Sequence, residues 1–242
     1  MNMHMYVHTL FAHFREAYAK KFLTKSFDHV IFSDEKMFRF RAGMSVGVWR
    51  PKGSDRLSAK YSVKTTQRGE GVMVWAAINS KGEYILRRCV KKIKAQDYQD
   101  MLSDCLPFIR SGRWLHVTLI SLLRWHDVFH RSTRTKVHYM QDGAPIHKAN
   151  STTRWFRLKG VKLFNDGHWP PQSPDLNIIE HVWPRVASAM KGQVYRNADE
   201  LWQAIEKAFA TEVTPALVQN LYKSIPKRLF ACLGAKGGHT KY

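Results

Sequence analysis

Residues 71–90 read GVMVWAAINSKGEYILRRCV, and this stretch narrows the fold more than any other. Two apolar runs flank a Ser-Lys-Gly turn, so a β-hairpin is expected. Just upstream, DHVIFSDEKMFRF offers two short β-rich runs, His29 to Phe32 and Met37 to Phe40, with Ser33-Asp34-Glu35-Lys36 between them. Val46 to Trp49 extends the sheet, and Pro51-Lys52-Gly53 reads as a turn. A helix precedes all of this. Leu10, Phe11, Phe14, Tyr18 and Phe22 recur at helical spacing over 8–23, and Lys20 and Lys21 close it with the charge that a helix C-terminus favours.

Downstream the periods change. Residues 96–110 read as a helix and VHYMQDG as a strand ending in an aspartate. Residues 148–159 form a helix, VKLF a short strand, and 177–191, 198–210 and 214–223 three more helices. Three antiparallel-type strands, then helix, strand, helix, strand, helix, is the order of an RNase H-like α/β domain, a mixed sheet flanked by helices. The chain's 242 residues, 44% of them hydrophobic, suffice for one large domain with a full core.

The charge balance points to a partner. Lys and Arg number 39 against 19 Asp and Glu, a formal +20, which favours a polyanion and above all nucleic acid. Cys89, Cys105 and Cys232 are scattered without metal spacing and read as thiols of a reducing compartment. No apolar run reaches the length of a membrane span, and the N-terminal stretch, broken by His, Arg and Lys, is no signal peptide. No membrane partner is expected.

Three acids stand out by position. Asp34 ends the first apolar strand, Asp142 ends VHYM, and Glu180 follows the loop in HWPPQSPDLNIIEHVW, residues 168–183. Pro170, Pro171 and Pro174 fix φ and lack donors, so that loop is stiff and extended. Asp175 and Asn177 are helix N-cap types, which puts Glu180 in the first turns of a helix. A carboxylate there also suits the helix dipole, and a lone Asp after a strand is commonly a turn residue. Three oxygen ligands, however, are what a hard cation such as Mg²⁺ or Mn²⁺ takes, and two such ions roughly 4 Å apart serve phosphodiester chemistry.

IFSDEKMF, VMVWAAINSKG, YMQDGAPIH and HWPPQSPDLNIIEHVW, in this order, resemble the catalytic domain of Tc1/mariner-family DDE transposases. The resemblance covers most of residues 10–210, and WPPQSPDLN followed by an acid and an aromatic is its most specific part. It implies an RNase H-like fold, dependence on Mg²⁺ or Mn²⁺ with two ions, double-stranded DNA as partner, and cut-and-paste transposition in the nucleus, with a homodimer possible. The triad that the resemblance assigns, catalytic and metal-binding alike, is Asp34, Asp142 and Glu180. Glu35 and Asp175 are acidic neighbours with supporting or structural parts. His147 either meets substrate phosphate, hydrogen-bonds the site, or simply packs. Gly143 and Pro145 shape the turn after Asp142. Gln172 and Ser173 read as satisfying loop backbone, and Trp169 and Trp183 as core.

The chain departs from the family in several places. Paired helix-turn-helix domains commonly precede the catalytic domain, and the residues ahead of Asp34 are too few to hold them. Sequence-specific DNA reading is therefore expected to be missing. The interval between Asp142 and Glu180 is 37 residues, somewhat long for the family, against 107 between Asp34 and Asp142. Residues 111–131 read as an atypical insertion, and Pro184 as a kink unless it falls in a first helical turn. The expected organisation is a linker helix over 1–27, the catalytic domain over 28–210 and a helical basic tail over 211–242. The competing function is a remnant that holds DNA by charge without cutting it.

Overall fold

The computed structural model describes residues 3–40, 71–90, 92–111 and 137–242. Val46 to Trp49, the turn at Pro51 and residues 112–131 of the expected insertion lie outside the described residues.

Among the described residues five strands form one sheet: β1 (Val30–Arg39), β2 (Gly71–Ile78), β3 (Tyr84–Cys89), β4 (His138–Met140) and β5 (Lys162–Leu163), in the order β3-β2-β1-β4-β5. β1 to β3 are antiparallel, and β4 and β5 run parallel to β1, as an RNase H-like domain requires. The helices are α1 (Met3–Phe22), α2 (Ala95–Ser111), α3 (Pro145–Lys148), α4 (Asn150–Leu158), α5 (Trp183–Ala189), α6 (Ala198–Glu212) and α7 (Pro215–Gly234).

Strand alternation builds the layers. Val30 and Phe32 of β1 and Val72, Val74, Ala76 and Ile78 of β2 face one core, which takes residues from α1, α5, α6 and α7. Ile31, Trp75 and Ala77 face the opposite core with Tyr98, Leu102 and Cys105 of α2 and Phe156 of α4. Cys105 and Cys232 are buried, Cys89 partly so, and all three are free.

Several expected boundaries move. The two runs around Ser33 to Lys36 are a single strand, because this polar tetrad holds no residue that forces a turn and pairs with β2 throughout. The helix expected over 148–159 is two, α3 and α4, broken at the extended backbone of Ala149. That over 177–191 is a 3₁₀ turn, Ile178–His181, followed by α5. Pro184 stands in the first turn of α5, where its missing N–H costs nothing. The last helix runs past 223 to Gly234, and α1 packs along it.

The hairpin turn shows how tightly the layers meet. Gly82 sits at φ +87°, and a Cβ there would overlap the Pro215 Cα at the start of α7. Gly82→Ala is expected to cost roughly 2 kcal/mol or more, from strained backbone and a displaced helix. Urea denaturation checks this, and an unchanged midpoint would mean that α7 gives way freely.

Candidate active site

The parallel pairing of β1 with β4 is only three residues long and ends at Phe32 opposite Met140. Two residues beyond that register stand Asp34 on β1 and Asp142 after β4. Neighbouring strands lie about 5 Å apart, so this register brings the two aspartates to the same level, where β4 ends beside β1 in the middle of the sheet. Asp34 is thus within its strand, opposite Ala76, and not at its end as expected from the sequence. What ends there is its neighbour, and that opens the space beside it.

Glu180 arrives from the other side. Ile178 and Ile179 are fully buried, which turns Glu180 to the open side of its 3₁₀ turn. The Asn177 side chain accepts from the Ile179 N–H and donates to the Ser33 carbonyl at 3.4 Å. The residue before Asp34 is thereby tied to the turn that carries Glu180. Asp175, the other expected cap, serves elsewhere: it pairs with Arg15 of α1 at 2.6 Å. Asp34, Asp142 and Glu180 all line one cleft, together with Lys148, Trp169 and the loop Pro170–Pro174.

The electrostatics separate the three acids. Burial pushes the Asp34 carboxyl up to about 8, and the negative charge of Glu180 adds to this; the Trp183 indole N–H, 2.8 Å from Oδ2, only partly offsets it. Burial also works to raise Asp142, but His147 Nδ1 at 2.6 Å and the Ala144 N–H at 2.9 Å outweigh it and hold the carboxyl below its ordinary value. His147 is buried against Tyr98, and its Nε2 meets Glu35 at 3.2 Å. Burial opposes its charge, yet the two carboxylates raise it to about 9. An imidazolium donating from both nitrogens therefore bridges Asp142 and Glu35.

Among the described residues, no three His, Cys, Asp or Glu side chains form a ready metal cage. The carboxylates are engaged otherwise: Asp34 Oδ2 with Trp183, and Asp142 Oδ1 with His147. Their chemistry nonetheless suits a hard cation, since all three are oxygen donors and Asp34 is disfavoured as an anion until positive charge arrives.

Trp183 is core, 1% exposed, but it also positions Asp34. Ser173 satisfies backbone, donating to the Pro171 carbonyl at 3.1 Å, and Gln172 offers its own carbonyl to Arg15. Sequence reasoning missed Arg15 and Glu35's link to His147. Glu35 beside Asp34 was the one visible signal; Arg15 left none.

Residues 29–202 match a family described as DDE superfamily endonuclease. The transposable element Tcb1 transposase of Caenorhabditis briggsae is 32% identical over 218 residues, covering 88% of this chain and 70% of that protein. The Tc1 transposase of Caenorhabditis elegans is 31% identical over 214 residues, with the same coverage. Among solved structures, the Mos1 mariner paired end complex with Mn superposes with a TM-score of 0.72 at 15% identity, over 100% of this chain and 65% of that one. The catalytic domain of Mos1 mariner transposase gives 0.64 at 16% identity, over 100% and 98%. These structures share the fold; the chain spans about two thirds of the mariner chain in the paired end complex.

Proposed function

The chain belongs to the Tc1/mariner transposases of the DDE superfamily endonuclease family, and on that premise we propose that it cleaves DNA strands and transfers them, using a divalent metal held by Asp34, Asp142 and Glu180. The observation that carries this reading is the convergence of the three acids, from β1, the end of β4 and the proline loop, on one cleft of a chain with formal charge +20.

When bound, Mg²⁺ or Mn²⁺, in two ions, would make water or a 3′-hydroxyl a better nucleophile and stabilise the leaving oxygen. The chain's residues do the rest. Asp34 and Asp142 would supply donors from β1 and the end of β4, two adjacent strands. Glu180 closes the donor set from the far wall. His147 keeps Asp142 ionised and turned toward the loop. Lys148, exposed at the cleft rim, meets a phosphate as a point charge. In the first step water attacks the phosphodiester at a transposon end; the new P–O bond forms as the P–O3′ bond breaks, and the 3′-oxygen leaves with a proton. The freed 3′-hydroxyl then attacks target DNA in the same way, without a covalent protein intermediate. The reading implies action in the nucleus and a homodimer for two transposon ends.

The test is nicking of supercoiled plasmid by the purified chain with Mg²⁺ or Mn²⁺, beside Asp142→Asn. Metal-dependent nicks lost in the variant are expected. A folded, DNA-binding chain that never nicks would leave the second reading, a remnant held by charge. Its binding would then fall steeply with salt and ignore sequence.

A further inference from the structure

We propose that Arg15 and Arg228 form a clamp that aims Glu180, with Arg15 the main positioning residue and residues 237–242 the strap that holds it. The inference rests on the catalytic reading of Glu180 given above.

A buried guanidinium must have its N–H groups paired, and Arg15 is 3% exposed. Nη1 donates to the Gln172 carbonyl (2.9 Å), Ser173 Oγ (2.9 Å) and Asp175 Oδ1 (2.7 Å). Nη2 donates to Asp175 Oδ2 (2.6 Å) and the Gly238 carbonyl (3.0 Å), and Nε to the Gly237 carbonyl (2.8 Å). One side of the fork thus grips the proline loop and the other grips residues 237 and 238. Thr240 Oγ1 adds a hydrogen bond to Asp175 Oδ2 at 2.8 Å. From α7, Arg228, also 3% exposed, donates to the Asp175 carbonyl at 2.9 Å and contacts the Nε2 of His181, the residue after Glu180. The ring of Tyr242 lies 4.7 Å from its guanidinium.

The loop needs this grip. Its three prolines lack donors, and between Pro170 and Asn177 the loop closes on itself through two backbone hydrogen bonds, Leu176 to Ser173 and Asn177 to Pro174. Gln172 is held at φ +51°, a conformation that a non-glycine residue keeps only when its surroundings impose it. The carbonyl of that residue is one that Arg15 takes. Four residues lie between Asp175 and Glu180, and the Asn177 cap and 3₁₀ turn make that path stiff. Displacing the loop therefore swings the carboxylate. The strap has its own fit: Gly237 is at φ +78°, and a Cβ there would fall on the Ala12 carbonyl of α1, one turn before Arg15.

The test compares wild type with Arg15→Lys, which keeps the charge but loses the fork, and Gly237→Ala, which leaves both arginines and every cleft residue in place but displaces the carbonyl that takes the Arg15 Nε–H. Turnover on supercoiled plasmid is expected to fall on the order of 10²-fold, with KM for DNA within about twofold, because misplacement by an ångström costs that much. Amide exchange at Leu176, Asn177 and Glu180 should quicken at a temperature where circular dichroism shows the variants folded. Thr240→Val should move both readouts the same way by less, and it serves if either variant does not fold. Unchanged exchange over 172–181, or exchange that quickens without loss of turnover, overturns the clamp. So does a rate that falls only with the folded fraction. If the wild-type chain nicks nothing, the catalytic reading fails separately. The clamp is then judged by exchange and by Mn²⁺ affinity in electron paramagnetic resonance, where tenfold weakening supports it and equal affinity overturns it.

Discussion

Asp34→Asn is expected to slow metal-dependent nicking by a factor on the order of 10³, while leaving the metal-free chain at least as stable as wild type. The two effects have one cause. Asp34 sits within a central strand, where burial and the charge of Glu180 both disfavour its ionised form. The asparagine amide oxygen still accepts the Trp183 N–H, so the local hydrogen bond survives and the like-charge repulsion goes. The same change removes an oxygen donor with the negative charge that a hard cation requires. Initial nicking rates in Mn²⁺ and thermal melts in EDTA measure the pair of effects. A variant that nicks at the wild-type rate would sink the assignment of Asp34. A markedly lower melting temperature would show that the aspartate is there to hold the fold.

Arg15→Met is expected to cost about 3–5 kcal/mol, since it strands a buried carboxylate that is 6% exposed. The pH dependence identifies the cause. Burial tends to raise Asp175, but Arg15 and Thr240 outweigh it and hold its carboxyl below the ordinary range. A depressed folded value means the pair's contribution is full above the ordinary carboxylate range and is lost as pH falls through the folded value. In Arg15→Met the stranded Asp175 rises instead and takes a proton more easily when folded. The deficit against wild type should therefore shrink on going from pH 7 toward about pH 4. Urea titrations at the two pH values measure it. A deficit under about 1 kcal/mol, or one equal at both pH values, would mean that water reaches the pair and screens it.

The fold was legible where its signals are local. The hairpin, α2 and the proline loop each declare themselves within twenty residues. Asp34 was harder, because Ser33-Asp34-Glu35-Lys36 looks like a break between strands. In the fold, Asp34 to Met37 lie where the strand is only partly covered, so polar side chains are tolerated inside it. The split of 177–191 into a 3₁₀ turn and α5 was hidden as well, since the apolar spacing of Ile178, Ile179, Val182 and Trp183 suits either. Arg15 could not be found at all. Its partners lie 157 to 223 positions away, and no period within α1 marks it as different from other polar residues of that helix. His147 falls between these cases: its nearness to Asp142 in sequence suggested a contact, while its second partner, Glu35, lies 112 positions off.

The reach of Arg15 has a consequence for synthesis. The ribosome delivers this arginine 222 positions before the Gly237 carbonyl that takes its Nε–H. At roughly 5–20 residues per second, α1 emerges and then waits on the order of ten seconds or more for the groups that shelter its charge. Until then the proline loop has only part of its anchorage, because Arg15 lacks the Gly237 and Gly238 carbonyls and Asp175 lacks the Thr240 hydroxyl. Synthesis as far as Thr240 is thus the step that locks the loop to the first helix.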